Sequence, residues 1–169
     1  SAIKEFNWIT TIWKGQVRLT APMMLCIGGL STFVVGGITG VFLASIPVDI
    51  LYHDTYYVVG HFHYILMGLL AFTVFAAFYY WFPIVTGKMY QRTLAKWHFW
   101  LTLIGTNLTF FAMLFLGYLG MPRRYATYSF PVAPTDIMTV FHQVATLGAV
   151  LILVGQAIWI WNIVQSWYE

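Results

Sequence analysis

His61 and His63 flank Phe62 inside an apolar run that extends from Tyr56 to Phe82. Imidazoles are costly at membrane depth, so two of them there point to function before packing. On an α-helix of 3.6 residues per turn, positions i and i+2 lie about 200° apart, so the rings face nearly opposite ways. They cannot chelate one ion together. The economical reading is one helix serving two prosthetic groups, one on each side, with the Phe62 ring between the two binding faces. Haem iron commonly takes an axial imidazole Nε2, and one ring per face places an iron on either side of the helix.

Other residues carry weaker signals. His53 and Asp54 lie on the connection before this helix, with Asp49 four residues upstream. Carboxylates and an imidazole at a helix start suit a divalent cation such as Mg²⁺, which keeps several of its waters. Asp54 is equally suited to capping the helix. Arg123 and Arg124 follow Met121-Pro122, and adjacent guanidinium forks match a pair of carboxylates such as haem propionates. A helix C-terminus or lipid headgroups would also account for them. His98, beside Trp97 in a position typical of interfacial anchoring, and His142 in the fourth span both read as hydrogen-bonded structural histidines. A di-haem cytochrome b bundle would need partner histidines on facing helices, and His142 alone cannot supply them.

The elements that hold these residues are membrane-spanning. The chain is 60% hydrophobic and only 8% charged, far below the roughly 25% charged content of soluble domains. Its eight Trp, eleven Tyr and fourteen Phe exceed what interfacial belts require, so part of that content packs between helices or on a flat cofactor. The net charge of +3 has no clustered basic surface, which argues against nucleic acid. Cys26 is the single cysteine and reads as an inert buried thiol. Ser1 to Arg18 is mixed and polar, without the apolar core of a signal peptide.

Four segments are long enough to cross a bilayer, which takes about 20 apolar residues. They run over 22–47, 56–82, 94–119 and 136–161, and each must be helical because lipid cannot satisfy backbone polar groups. The expected fold is all-α, a polytopic four-helix transmembrane bundle forming a single unit over 1–169. Lys4, Lys14, Arg18, Lys88, Arg92 and Lys96 fall on one face, which the positive-inside rule makes the inner one. Asp49, Asp54, Asp136, Arg123 and Arg124 fall on the other. Gly28, Gly29, Gly36, Gly37 and Gly40 in the first span permit close approach of a helix or a planar group.

The string HDTYYVVGHFHY from His53 to Tyr64, preceded by GGITGVFLASIPVDI and followed by WFPIVTGKMY and GMPRRY, resembles the signature of subunit I of the haem-copper terminal oxidases. Several separated motifs occur in the family's order, from about Lys14 to Trp161. They correspond to the last four of the family's twelve core helices. The resemblance implies that His61 is the proximal ligand of the high-spin haem, where oxygen is reduced, and that His63 is an axial ligand of the low-spin haem. It further implies Mg²⁺ at His53 and Asp54, propionate contacts from Arg123 and Arg124, and Asp49 near those propionates. The copper of the binuclear centre and the second low-spin ligand belong to helices not contained here, so the chain would complete its sites only with the rest of subunit I.

The implied protein is a cytochrome c oxidase type of enzyme, an oxidoreductase and translocase that reduces O₂ to water and pumps protons. Its partners would be subunit II, subunit III, membrane lipid and cytochrome c as electron donor, with quinol as the alternative donor. It would reside in a bacterial or archaeal plasma membrane or the mitochondrial inner membrane. A non-catalytic split fragment and a di-haem cytochrome b remain the competing readings. The third span carries Ala112 and Leu114 where relatives often have Pro and His, which implies a straighter helix there.

Overall fold

In the computed structural model of the chain, residues 2–125 and 135–168 are described. The helices are α1 (Ala2–Ile12), α2 (Ala21–Ala44), α3 (Ile46–Tyr52), α4 (Tyr56–His63), α5 (Phe72–Thr86), α6 (Arg92–Tyr118) and α7 (Thr135–Tyr168). A π-helical segment, Tyr64–Ala71, joins α4 to α5 without a break. Four units, namely α2, the continuous α4–π–α5 rod over Tyr56–Thr86, α6 and α7, are long and apolar enough to span a membrane.

The ends of these helices follow local chemistry. Pro22 opens α2, where its missing N–H costs nothing. The first span closes at Ala44, short of the expected 47, because Ser45 turns extended and Pro47 starts the short helix α3. Thr55 is extended and caps α4, its hydroxyl accepting from the Tyr57 amide at 3.2 Å. Asp54 does not cap this helix, because its φ of +56° lies outside the extended geometry of a cap. The second span ends on Gly87, whose left-handed φ of +70° lets its amide bond back to Pro83. The fourth runs past 161 to Tyr168, where the Trp167 carbonyl accepts from Lys88 Nζ at 2.7 Å.

Small residues set how closely the spans approach. A Cβ at Gly29 would stand 2.9 Å from the Gly68 carbonyl, so α2 lies directly on the π segment. Thr32, fully buried there, returns its hydroxyl to Gly28 and Gly29 carbonyls and leaves no polar group unpaired. A second crossing joins α6 and α7, where Gly105 and Gly148 meet and Thr109 donates to the Ala145 carbonyl at 3.2 Å. Such contacts drive association in lipid, where helices gain nothing by hiding apolar surface from tails. Asn162 of α7, fully buried, satisfies both backbone groups of Gln91 just before α6.

One side chain stands deeper than the sequence suggests and another stands elsewhere. His98 has the hydrogen-bonded structural place expected of it, but below the interface: it is fully buried, with Nδ1 3.3 Å from the Tyr79 hydroxyl and its ring edge-on to Phe75. Its neighbours on α5 close over it, a tertiary effect that proximity to Trp97 conceals. Lys4 does not join the basic face, because α1 folds back along α2 instead of trailing from its start. Trp8 meets Phe33 with ring centroids 6.5 Å apart, and a Cβ on Gly37 would lie 3.7 Å from Glu5 Oε1. Lys4 and Glu5 therefore stand beside the middle of α2. The basic face keeps Lys14, Arg18, Lys88, Arg92 and Lys96.

Candidate functional site

The centre of the site is the last turn of α4. His61 and His63 project from it toward different helices. His61 lies against α2, with Nδ1 2.9 Å from the Gly36 carbonyl and 3.1 Å from Thr39 Oγ1. A carbonyl oxygen can only accept, so Nδ1 carries the proton and the neutral ring presents an Nε2 lone pair. The Thr39 hydroxyl also donates to the Gly36 carbonyl at 2.8 Å, fixing the same acceptor from a second side. Gly40 completes the cradle: a Cβ there would come within 2.7 Å of the His61 Cε1 atom.

His63 is held independently. Its Nδ1 lies 2.8 Å from the Val59 carbonyl one turn earlier, which again leaves Nε2 as the basic nitrogen. Its ring stacks on Phe110 of α6, with centroids 4.8 Å apart and planes 25° apart. Phe62 lies 4.4 Å from the His63 ring, tilted 31°, and is about one-third exposed. Nδ1–H to a carbonyl with a free Nε2 is the arrangement that orients a metal-ligating histidine and raises its basicity. The residues present therefore fit an axial imidazole on each side of α4.

Above this turn, the two connections at the same end of the bundle are stitched together. The Tyr56 amide donates to the Met121 carbonyl and the Arg123 amide to the Asp54 carbonyl, both at 2.9 Å. Arg123 Nε donates to Asp54 Oδ1 at 2.7 Å, and its terminal NH₂ group pairs with the same oxygen. The two arginines thus separate: Arg123 is engaged by Asp54, while Arg124, at φ +71°, stands exposed. Asp54 and Arg124 both adopt left-handed backbone, which costs about 1 kcal/mol or more for residues with a Cβ. The bond from the Arg123 amide to the Asp54 carbonyl holds Asp54 there.

His53 lies between two carboxylates, 3.5 Å from Asp54 and 3.9 Å from Asp49. Among the described residues no group of three or more His, Cys, Asp or Glu side chains converges on one point. With one Asp54 oxygen taken by Arg123, this chain offers a divalent ion two donors, His53 and the second Asp54 oxygen. That number suits Mg²⁺, which keeps most of its water shell.

The hydrogen bond from Arg123 holds the Asp54 carboxyl below the usual carboxylate range, and the charges of Arg123, His53 and Arg124 act in the same direction. A depressed folded value means the contact stabilises the loops above the ordinary aspartate pKa of about 3.9 and loses that effect as pH falls through the folded value. Protection of the Arg123 amide from hydrogen exchange, taken relative to an unstructured amide at the same pH, is therefore expected to be high near neutral pH and to drop once the carboxyl protonates. In Asp54→Asn, protection should already be low near neutral pH and show no such step. A step retained in Asp54→Asn would exclude this carboxyl as its source.

Met121 and His142 were not part of the expected site. His142 Nε2 lies 3.0 Å from Met121 Sδ, and the Tyr56 ring meets the His142 ring edge-on. They pin α7 to the stitched loops. No local spacing could announce this, since Met121 and His142 are brought together only by folding.

Four apolar crossings, without any strand among the described residues, define a multi-pass membrane protein. The chain belongs to the cytochrome c and quinol oxidase polypeptide I family, whose model matches residues 1–151. It is 60% identical, over its whole length, to cytochrome c oxidase polypeptide 1 of Halobacterium salinarum, and covers 28% of that protein. It is 44% identical to a probable cytochrome c oxidase subunit 1-beta of Nocardia farcinica, over 96% of this chain and 27% of that one. A cryo-EM structure of a heme-copper terminal oxidase dimer superposes with a TM-score of 0.76 at 26% identity, over 99% of this chain and 32% of that one. The chain thus spans under a third of the length of these relatives.

Proposed function

We propose that the chain is the part of a terminal oxidase's catalytic subunit that would supply one ligating histidine to each of two haems. The carrying observation is the pair of rings on α4, each with Nδ1 donated to a backbone carbonyl and Nε2 left basic, on opposite sides of one helix. His61 is assigned to the high-spin haem and His63 to the low-spin haem, following the family motif. Phe62, in ring contact with His63, is assigned to the space between the haems. When bound, the high-spin haem with its neighbouring copper supplies the O₂-reducing chemistry. Copper is assigned to residues beyond this chain.

This chain's own residues position and insulate. The Gly36 carbonyl and Thr39 hydroxyl fix the azimuth of the His61 ring, and Gly40 leaves room for it. Arg124, exposed beside the stitched loops, and Arg123 with its remaining donors are assigned to propionates, with Asp49 nearby. His53 and Asp54 are assigned to Mg²⁺, completed by water and a neighbouring subunit. The imidazoles are only partly covered by this chain, and a polar ring cannot face lipid alone. That supports assembly with the remaining helices of subunit I and with subunits II and III. Cytochrome c is the assigned electron donor, with quinol as the alternative.

The test is spectroscopic, on the assembled complex. Gly40→Ala pushes a methyl group against the His61 ring and is expected to shift or weaken the high-spin haem bands while the low-spin bands stay in place. An equal disturbance of both haems would show that the substitution acts on the fold and not through His61.

A further inference from the structure

At the basic end of the bundle, Arg18, Arg92 and Lys96 ring a cavity of about 370 Å³ whose remaining walls include Leu19, Met89 and Tyr90. We propose that this cavity binds the phosphate headgroup of an anionic phospholipid of the same membrane leaflet. The assignment is independent of the haem reading.

Three features carry it. First, the cations lack counter-charges among the described residues. Of five acidic residues, Asp49, Asp54 and Asp136 lie at the opposite end of the bundle, Glu5 lies beside the middle of α2, and Glu169 lies outside the described residues. Among the described residues no ion pair involves Arg18, Arg92 or Lys96. Second, α2 and α6 both start at this cavity. Neither has a side-chain cap or an acidic residue in its first turn, so their positive dipole ends add to the cationic field. Basic side chains at two helix starts are mutually unfavourable until an anion joins them.

Third, the walls are amphipathic. Leu19 and Met89 are exposed, Tyr90 is buried with its ring 4.6 Å from that of Tyr79, and Trp97 and Trp100 expose their rings on the first turns of α6. Trp at a helix end marks the headgroup level. A polar cationic floor with apolar walls at that depth matches a lipid, whose acyl chains continue along the helices. A free phosphate or nucleotide has no use for such walls. Basic pockets between spans on the positively charged side recognise anionic headgroups in this way.

The experiment uses the assembled complex, stripped of lipid in detergent and titrated with fluorescent phosphatidylglycerol or phosphatidylcholine. Each of Arg18→Gln, Arg92→Gln and Lys96→Gln is expected to weaken phosphatidylglycerol binding about fivefold, and the triple variant by far more, with phosphatidylcholine unaffected. Lys88→Gln removes a charge from the same face outside the cavity and should change nothing. Equal weakening in Lys88→Gln would overturn the site in favour of a diffuse surface charge. Unchanged binding in the three single variants would also overturn it. Displacement of bound phosphatidylglycerol by millimolar inorganic phosphate would overturn the lipid in favour of a soluble anion.

Discussion

His61→Ala is expected to remove the high-spin haem signal from the assembled complex and to lower oxygen uptake at least about 100-fold, while the low-spin bands persist. The asymmetry follows from how the two rings are held. His61 draws its orientation from α2, through the Gly36 carbonyl and Thr39, whereas His63 takes its own from Val59 and Phe110. Neither shares a partner with the other, so losing one imidazole leaves the second ring in place. Outer partners of a metal ligand alone are worth 10–100-fold in affinity or activity, so loss of the ligand itself should exceed that. His63→Ala is expected to give the converse spectrum. A high-spin signal unchanged in His61→Ala would remove this histidine from the proposed role.

Gly117→Ala is expected to lower the melting temperature of the assembled complex by several degrees. A Cβ at Gly117 would fall onto the backbone nitrogen of Tyr57. Both partners are backbone, one in the last turn of α6 and the other in the first turn of α4, and the stitched loops beside them prevent either from moving away. No side-chain rotation can relieve the clash. In an open helix Gly→Ala stabilises by up to about 1 kcal/mol, whereas an overpacked site costs about 1–3 kcal/mol. The two effects have opposite sign, so the melting temperature of the solubilised complex decides between them. A midpoint equal to or above that of the parent would show that the α4–α6 contact is looser than described.

Much of this could be read along the chain because lipid simplifies the problem. Hydrophobic length located the crossings, and the i, i+2 spacing alone sent His61 and His63 toward different helices. What escaped was whatever depends on a partner distant in sequence. Thr55, not Asp54, caps α4 because Asp54 is drawn into left-handed backbone by its pairing with the Met121–Arg123 loop. Lys4 counted as a surface charge until the contacts of Trp8 and Glu5 placed α1 beside α2. The partner and depth of His98 were hidden because its burial comes from α5, nineteen residues earlier at Tyr79. The separate roles of Arg123 and Arg124 were equally invisible, since adjacency says nothing about which guanidinium meets Asp54.

The π-helical stretch Tyr64–Ala71 gives the second span a phase adjustment. Each π turn holds one residue more than an α turn, so the segment advances the side chains below it relative to those above. Tyr64 reaches Asn107 of α6 at 3.1 Å while its Cβ packs on α2 at Gly36, and Gly68 and Phe72 lie against α2 as well. Removing one residue from this stretch could be absorbed by closing a π turn to an α turn. The α-helical turns on either side have no such slack, and a residue added or removed there would rotate α5 by about 100° against α4. The span would then face its neighbours wrongly at one end or the other. Sequence length in these α-helical turns between the histidines and the basic face is therefore a fitted quantity, set to the residue, and insertions or deletions there should be far less tolerated than substitutions.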